Sequence, residues 1–130
     1  MMWFPVVSLL LLLIVSLDAL GDAFRRLQKH VLHHVMESIQ IMLWMAIWAL
    51  FGFDWYYIAM YVLARFAVFD LIYNLTVGHS WYYIGDSSIY DKGIKWFAKV
   101  ARAPISYVVG VPKFIALVWF AAWALTSANR

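Results

Sequence analysis

The chain has 130 residues, of which 66% are hydrophobic and 13% charged, with a mean hydropathy of +0.79 and a formal charge of +3. Soluble domains carry about a quarter charged residues, so this is the composition of an integral membrane protein, and the length leads us to expect a single membrane domain over 1–130. The sequence contains no cysteine, which excludes disulfides, thiol nucleophiles and Cys-ligated metal centres.

A membrane span needs roughly 20 mostly apolar residues, and four stretches meet that need: 2–22, 31–53, 55–77 and 105–126. The expected fold is all-α, a four-transmembrane-helix bundle with a short interfacial amphipathic helix before the last span. The first stretch has the small residues Ala19 and Gly21 of a signal-peptide end but no basic start, and it reads as a retained helix. Between the second and third, "FGFD" is too short for anything but a tight connection. After the third span, "TVGHSWYYIGDSSIYDKG" has glycine, serine and aspartate at turn frequency, so it reads as an ordered loop covering one mouth of the bundle. In "KGIKWFAKVARAP", Lys92, Lys95, Lys99 and Arg102 recur on one helical face, the pattern of a helix lying on the membrane surface; loop and helix together occupy 78–104. The fourth span is interrupted by Gly110, Pro112 and Lys113, which predicts a bent or shortened helix.

Basic residues set topology. The first connection carries Arg25, Arg26 and Lys29, the third carries Lys92, Lys95, Lys99 and Arg102, and the second carries none. Connections one and three are therefore expected on the cytoplasmic side, with both termini on the non-cytoplasmic side of a multi-pass protein. Trp48, Trp55, Tyr56, Tyr57 and Trp123 then mark the outer interface, and Trp81, Tyr82, Tyr83, Tyr90 and Trp96 the inner one. The sequon "NLT" at Asn74–Thr76 faces the wrong side on this topology.

The ionisable residues inside the spans are unevenly placed. Asp18 and Asp22 close the first span four residues apart, and His30, His33, His34 and Glu37 open the second on one stripe. Arg65 lies near mid-span in the third, with Asp70 and Asn74 below it, and Lys113 enters from the same end of the fourth. All lie from the midplane inward. Lipid-facing charge there would be unsatisfied, so a hydrated, cytoplasm-facing polar pocket is expected.

Two uses of such a pocket follow. As structure, Arg65 and Lys113 neutralise Asp70 and Glu37 and hold the helices in register. As a site, His34 and Glu37 at i, i+3, with Asp18 and Asp22 from the neighbouring helix, form a ligand set for a divalent metal ion. Such an ion would activate a bound water. Asp18, Asp22, His34, Glu37 and Asp70 are then the catalytic candidates, and Arg65, Asn74 and Lys113 the candidates for binding an anionic headgroup. "HVLHH", His30 to His34, resembles the His-x-x-His-His box of membrane desaturases and hydroxylases. The di-iron centres of that family use several such boxes; here the remaining histidine is His79, and the activity is not carried over. Ser87 and Ser88 in "IGDSSIYD" read as turn residues rather than nucleophiles.

Three functions are consistent with this reading. The first is a metal-assisted enzyme modifying lipid or isoprenoid phosphates at the inner leaflet, with residues 79–91 as a lid. The second is a non-catalytic accessory or assembly subunit of a larger membrane complex. The third is an oligomeric proton or cation channel or transporter, against which stands an outer half without a polar track. The expected partners are membrane lipids and a second copy in a homo-oligomer or other subunits; no nucleic acid partner is expected.

Overall fold

The computed structural model describes residues 3–85 and 88–127. Five helices follow one another: α1 (Phe4–Arg26), α2 (His30–Phe51), α3 (Trp55–Val77), α4 (Ile89–Val100) and α5 (Ile105–Ser127). All but α4 are long and apolar enough to cross a membrane, and the protein is a small multi-span helical membrane protein with a shorter helix before its last span.

The first helix is the axis of the bundle. Val7, Leu11, Ile14 and Val15 recur at i, i+4, i+7 and i+8 and are fully buried. They meet Tyr57, Met60 and Ala64 of α3, Ile47 of α2, and Phe120 and Ala124 of α5 in one core. Small residues on the partner faces, Ala64, Ala67 and Ala124, allow the close backbone approach that membrane helices use in place of a hydrophobic driving force. α3 packs on α5 as well, and α4 lies against α5 alone. α2 runs beside α1 only, although Trp44 reaches across to Tyr61 of α3, ring centroids 5.3 Å apart.

Phe4 sits against Tyr56, 5.8 Å between rings, so α1 and α3 begin at the same level and run the same way, while α2 and α5 run back. The end of the bundle where α1 and α3 finish therefore gathers the basic first connection, residues 78–85 and α4.

Element ends have identifiable causes. α1 runs past its predicted end at 22 to carry Arg25 and Arg26 in its last turn, where cations suit the helix dipole. Gln28 then takes the left-handed conformation, φ 60°, and the Lys29 N–H returns to the Phe24 carbonyl at 2.8 Å. Asp54 caps α3 through the Tyr56 N–H. Ser88 caps α4: its hydroxyl accepts from the Asp91 N–H at 3.0 Å while the Asp91 carboxylate accepts from the Ser88 N–H at 3.4 Å, a capping box. This is the turn role expected for Ser88; Ser87 lies outside the described residues.

The fourth span is not shortened: α5 is one continuous 23-residue helix through Gly110, Pro112 and Lys113. Gly110 is where the Trp81 ring lies against the helix: a Cβ there would stand 2.8 Å from Cη2 of that ring. The glycine is a contact surface rather than a breaker.

Candidate functional site

The polar residues separate into three groups. The first joins α1 to α3 within the bilayer. Arg65, midway along α3, ion-pairs with Asp18. Tyr61, one turn earlier, donates its hydroxyl to Asp18 Oδ2 at 3.1 Å and accepts from Arg65 Nη1 at 3.5 Å. The guanidinium lies 4.0 Å from the centre of the Phe69 ring, a cation–π contact. Asp18 is thus occupied by a cation and a phenol.

The second group lines a cavity of about 1120 Å³ at the end of the bundle where α1 and α3 finish. Its wall comprises Asp22, Arg25 and Arg26 of α1, Asp70, Tyr73 and Asn74 of α3, His79 and Tyr83 of the loop, Tyr90 and Asp91 of α4, and Lys113 of α5. Phe66, Phe69, Ile94 and Val109 supply apolar wall between them. Asn74 is buried and holds the loop in place, its amide donating to the carbonyls of Trp81 at 3.3 Å and Tyr83 at 3.0 Å. His79 stacks on Tyr83 with ring centroids 4.0 Å apart. Lys113 donates to Asp70 Oδ2 at 2.6 Å and to the Phe66 carbonyl at 3.0 Å. It also lines an apolar groove of about 620 Å³ between α3 and α5, walled by Val68, Leu71, Trp81, Tyr107, Phe114 and Leu117. One ammonium therefore stands at the seam of a polar chamber and a greasy channel.

The third group sits on the first turns of α2. Glu37 is four residues after His33 and three after His34, so in an α-helix it lies between them in azimuth. Its Oε1 is 3.3 Å from His33 Nε2 and its Oε2 is 3.3 Å from His34 Nδ1. His33 is buried, and its Nδ1 meets the Gly21 carbonyl of α1 at 2.9 Å. Ligand atoms of His33, His34 and Glu37 all lie within 4.8 Å of one another, close enough to share a metal ion.

The single hollow shared by acids and imidazoles of three segments is not what forms. Asp22, Asp70, Asn74 and Lys113 do come together around the cavity. Asp18 and Arg65 are spent on each other between α1 and α3. His34 and Glu37 stand with His33 on α2. The expected ligand set of His34, Glu37, Asp18 and Asp22 is not brought together: among the described residues the group that could hold an ion is His33, His34 and Glu37, and neither aspartate belongs to it. The physical reason is the helical pitch of α1. Gly21 and Asp22 are neighbours about 100° apart; Gly21 faces α2, where a Cβ would meet Met36 at 3.5 Å, and Asp22 faces the cavity. The likewise expected pairing of Lys113 with Glu37 gives way to Lys113 with Asp70.

Sequence reasoning missed several wall residues. Arg25 and Arg26 were legible only as topology signals, and Tyr83 and Tyr90 only as interface anchors. A usable clue was the spacing of Asp22, Arg25 and Arg26, which in a helix prolonged past 22 turns a carboxylate and a guanidinium to the same side. Comparison with protein-family models, with curated proteins and with solved structures finds no match for this chain.

Proposed function

We propose that this membrane protein recognises a phosphate-bearing amphiphile, taking its headgroup into the cavity between α1, α3, α4 and α5 and its chain into the groove between α3 and α5. The carrying observation is Lys113, whose side chain lines both spaces and so stands where the headgroup of such a molecule joins its tail. Arg25 and Arg26 add two guanidiniums to the polar wall, the donor type suited to bidentate phosphate contact. Asp22, Asp70 and Tyr73 supply the acceptors and hydroxyl that a zwitterionic or polyhydroxylated headgroup needs. On the positive-inside rule this end of the bundle is cytoplasmic, which makes the ligand an inner-leaflet lipid or isoprenoid phosphate and leaves both termini outside.

The reading stops at recognition rather than catalysis. A metal-assisted reaction needs its metal ligands beside the headgroup, and His34 and Glu37 stand across α1 from the cavity. The test is phosphorus content and native mass spectrometry of protein purified in mild detergent. Wild type should retain phospholipid or another phosphate-bearing amphiphile. Lys113→Met and the pair Arg25→Gln/Arg26→Gln should each lower retention about tenfold, the worth of one charge-assisted hydrogen bond, with helical content unchanged. Wild-type retention by both variants would refute the proposal.

One observation favours a second reading, an assembly subunit. Only His33 and Ile47 are buried among the residues of α2, and Val31, Val35, Met42 and Met45 expose large apolar surface. Because the sequence has no cysteine, a single Met45→Cys variant gives a clean probe. Disulfide-linked dimers in dilute proteoliposomes support self-association, and none at all argues for lipid as the neighbour of α2.

A further inference from the structure

We infer that His33, His34 and Glu37 form a binding site for a divalent transition-metal ion of the zinc class, separate from the amphiphile cavity. The Gly21 carbonyl oxygen can only accept, so its 2.9 Å contact places a proton on Nδ1 of His33. In the neutral ring Nε2 is then a bare lone pair, and it points at Glu37 Oε1 from 3.3 Å. Two acceptors facing each other at hydrogen-bond range need a proton or a metal ion between them. The second carboxylate oxygen lies at the same distance, 3.3 Å, from His34 Nδ1. Tetrahedral zinc with ligands at about 2.0–2.1 Å sets neighbouring donors roughly 3.3 Å apart, so both imidazole–carboxylate separations already have the required length.

The support around the ligands is of the kind metal sites use. A ligating histidine normally donates its other ring N–H to a carbonyl or carboxylate, which fixes ring orientation and raises ligand basicity. His33 does this through Gly21. His34 and Glu37, with side chains 72% and 50% exposed, leave an open approach for the ion and for a water in a remaining position. Two imidazoles and one carboxylate select zinc, cobalt, nickel or copper over magnesium or calcium, which prefer all-oxygen shells.

The experiment is a Co²⁺ titration of tag-free, chelator-treated full-length protein in detergent, read by the visible d–d bands of the bound ion and paired with Zn²⁺ calorimetry. Wild type should take up one ion per chain, with bands intense enough to show four- or five-coordination, and Zn²⁺ should displace the cobalt. Glu37→Gln and His34→Ala, both at exposed positions, should each weaken binding by tenfold or more, and His30→Ala should leave it within twofold. Binding should also fall on acidification, because imidazole ligates only when neutral. No saturable uptake by wild type would mean that a proton alone sits between Glu37 and His33, and the site would be lost as a proposal. Wild-type affinity in both Glu37→Gln and His34→Ala would overturn it equally.

Discussion

Removing the Asp18 carboxylate should expose what a charge costs at the centre of this bundle. Arg65 is the eleventh residue of the 23-residue α3, about 15 Å along the helix from its start at 1.5 Å per residue. An arginine near the middle of a span costs about 2.5–3.5 kcal/mol on insertion scales, and in the native protein Asp18 offsets that cost by direct ion pairing. In Asp18→Leu the Tyr61 hydroxyl and the Phe69 ring remain beside the guanidinium, but both already act in the wild type. The expected loss is therefore about 2–3 kcal/mol, with the lower end set by snorkelling of the long side chain. Arg65→Leu alone leaves a carboxylate held by one phenol and should cost a similar amount. In the double variant Asp18→Leu/Arg65→Leu no charge remains, and replacing a buried ion pair by apolar residues of similar volume is close to neutral. A double-mutant cycle should thus give a coupling energy of about 4–6 kcal/mol, the two single losses together. Equilibrium unfolding in mixed micelles of mild detergent and dodecyl sulfate, followed by circular dichroism, measures it. Simple additivity, within about 0.5 kcal/mol, would refute the claim that Arg65 is held by Asp18.

Other variants test the parts that shape the two sites. Asn74→Leu strips the Trp81 and Tyr83 carbonyls of their donor, which should cost about 1–3 kcal/mol and raise amide hydrogen exchange across 79–85 while leaving α1 and α2 protected. Gln28→Gly places glycine at a left-handed position, φ 60°, and should stabilise by about 0.5–1 kcal/mol in the same unfolding assay. Ser88→Ala removes the hydroxyl that caps α4 and should cost about 1 kcal/mol, seen as faster exchange at Tyr90, Asp91 and Lys92. Gly21→Ala should be tolerated, because its Cβ would make ordinary contacts at 3.5 Å with Met36 and 3.7 Å with His33. Gly21→Leu should push His33 from its carbonyl anchor and weaken Co²⁺ binding about 10–100-fold, the usual effect of losing an outer-shell partner.

Much of the architecture was readable because the bilayer restricts the choices. With no water to satisfy backbone groups, apolar runs such as 31–53 and 55–77 can only be helices, and α2 and α3 match them within two residues at each end. The basic spacing at Lys92, Lys95, Lys99 and Arg102 likewise pointed to α4, although the helix ends at Val100 and Arg102 follows it in the left-handed conformation, φ 51°. Local punctuation was less reliable. Pro112 and Gly110 read as interruptions, yet α5 passes through both, because one is matched to a ring in a loop distant in sequence and membrane helices tolerate proline where neighbours compensate. For the site, residue type and depth were legible: Asp22, Asp70, Asn74 and Lys113 were expected together and line one cavity. Azimuth was not. Periodicity says which residues share a face, and says nothing about which neighbouring helix that face meets.

The missing azimuth explains why the imidazoles and the acids part company. α1 has neighbours on both flanks of its last two turns, and the side chains there sort themselves by what each neighbour can accept. Gly21 has no side chain, so α2 can approach closely enough for His33 to reach its carbonyl. Asp18 and Asp22, on a face turned away from that contact, meet the opposite charge offered by α3 in one case and open space in the other. Had residue 21 carried a bulky side chain, α2 would stand farther off and His33 would lose the partner that sets its tautomer. The glycine therefore anchors His33 against α1, while helical spacing within α2 sets Glu37 between the two imidazoles. The cavity consequently depends on α1, α3, α4 and α5, and the cluster of His33, His34 and Glu37 on α2, with α1 as the wall between them.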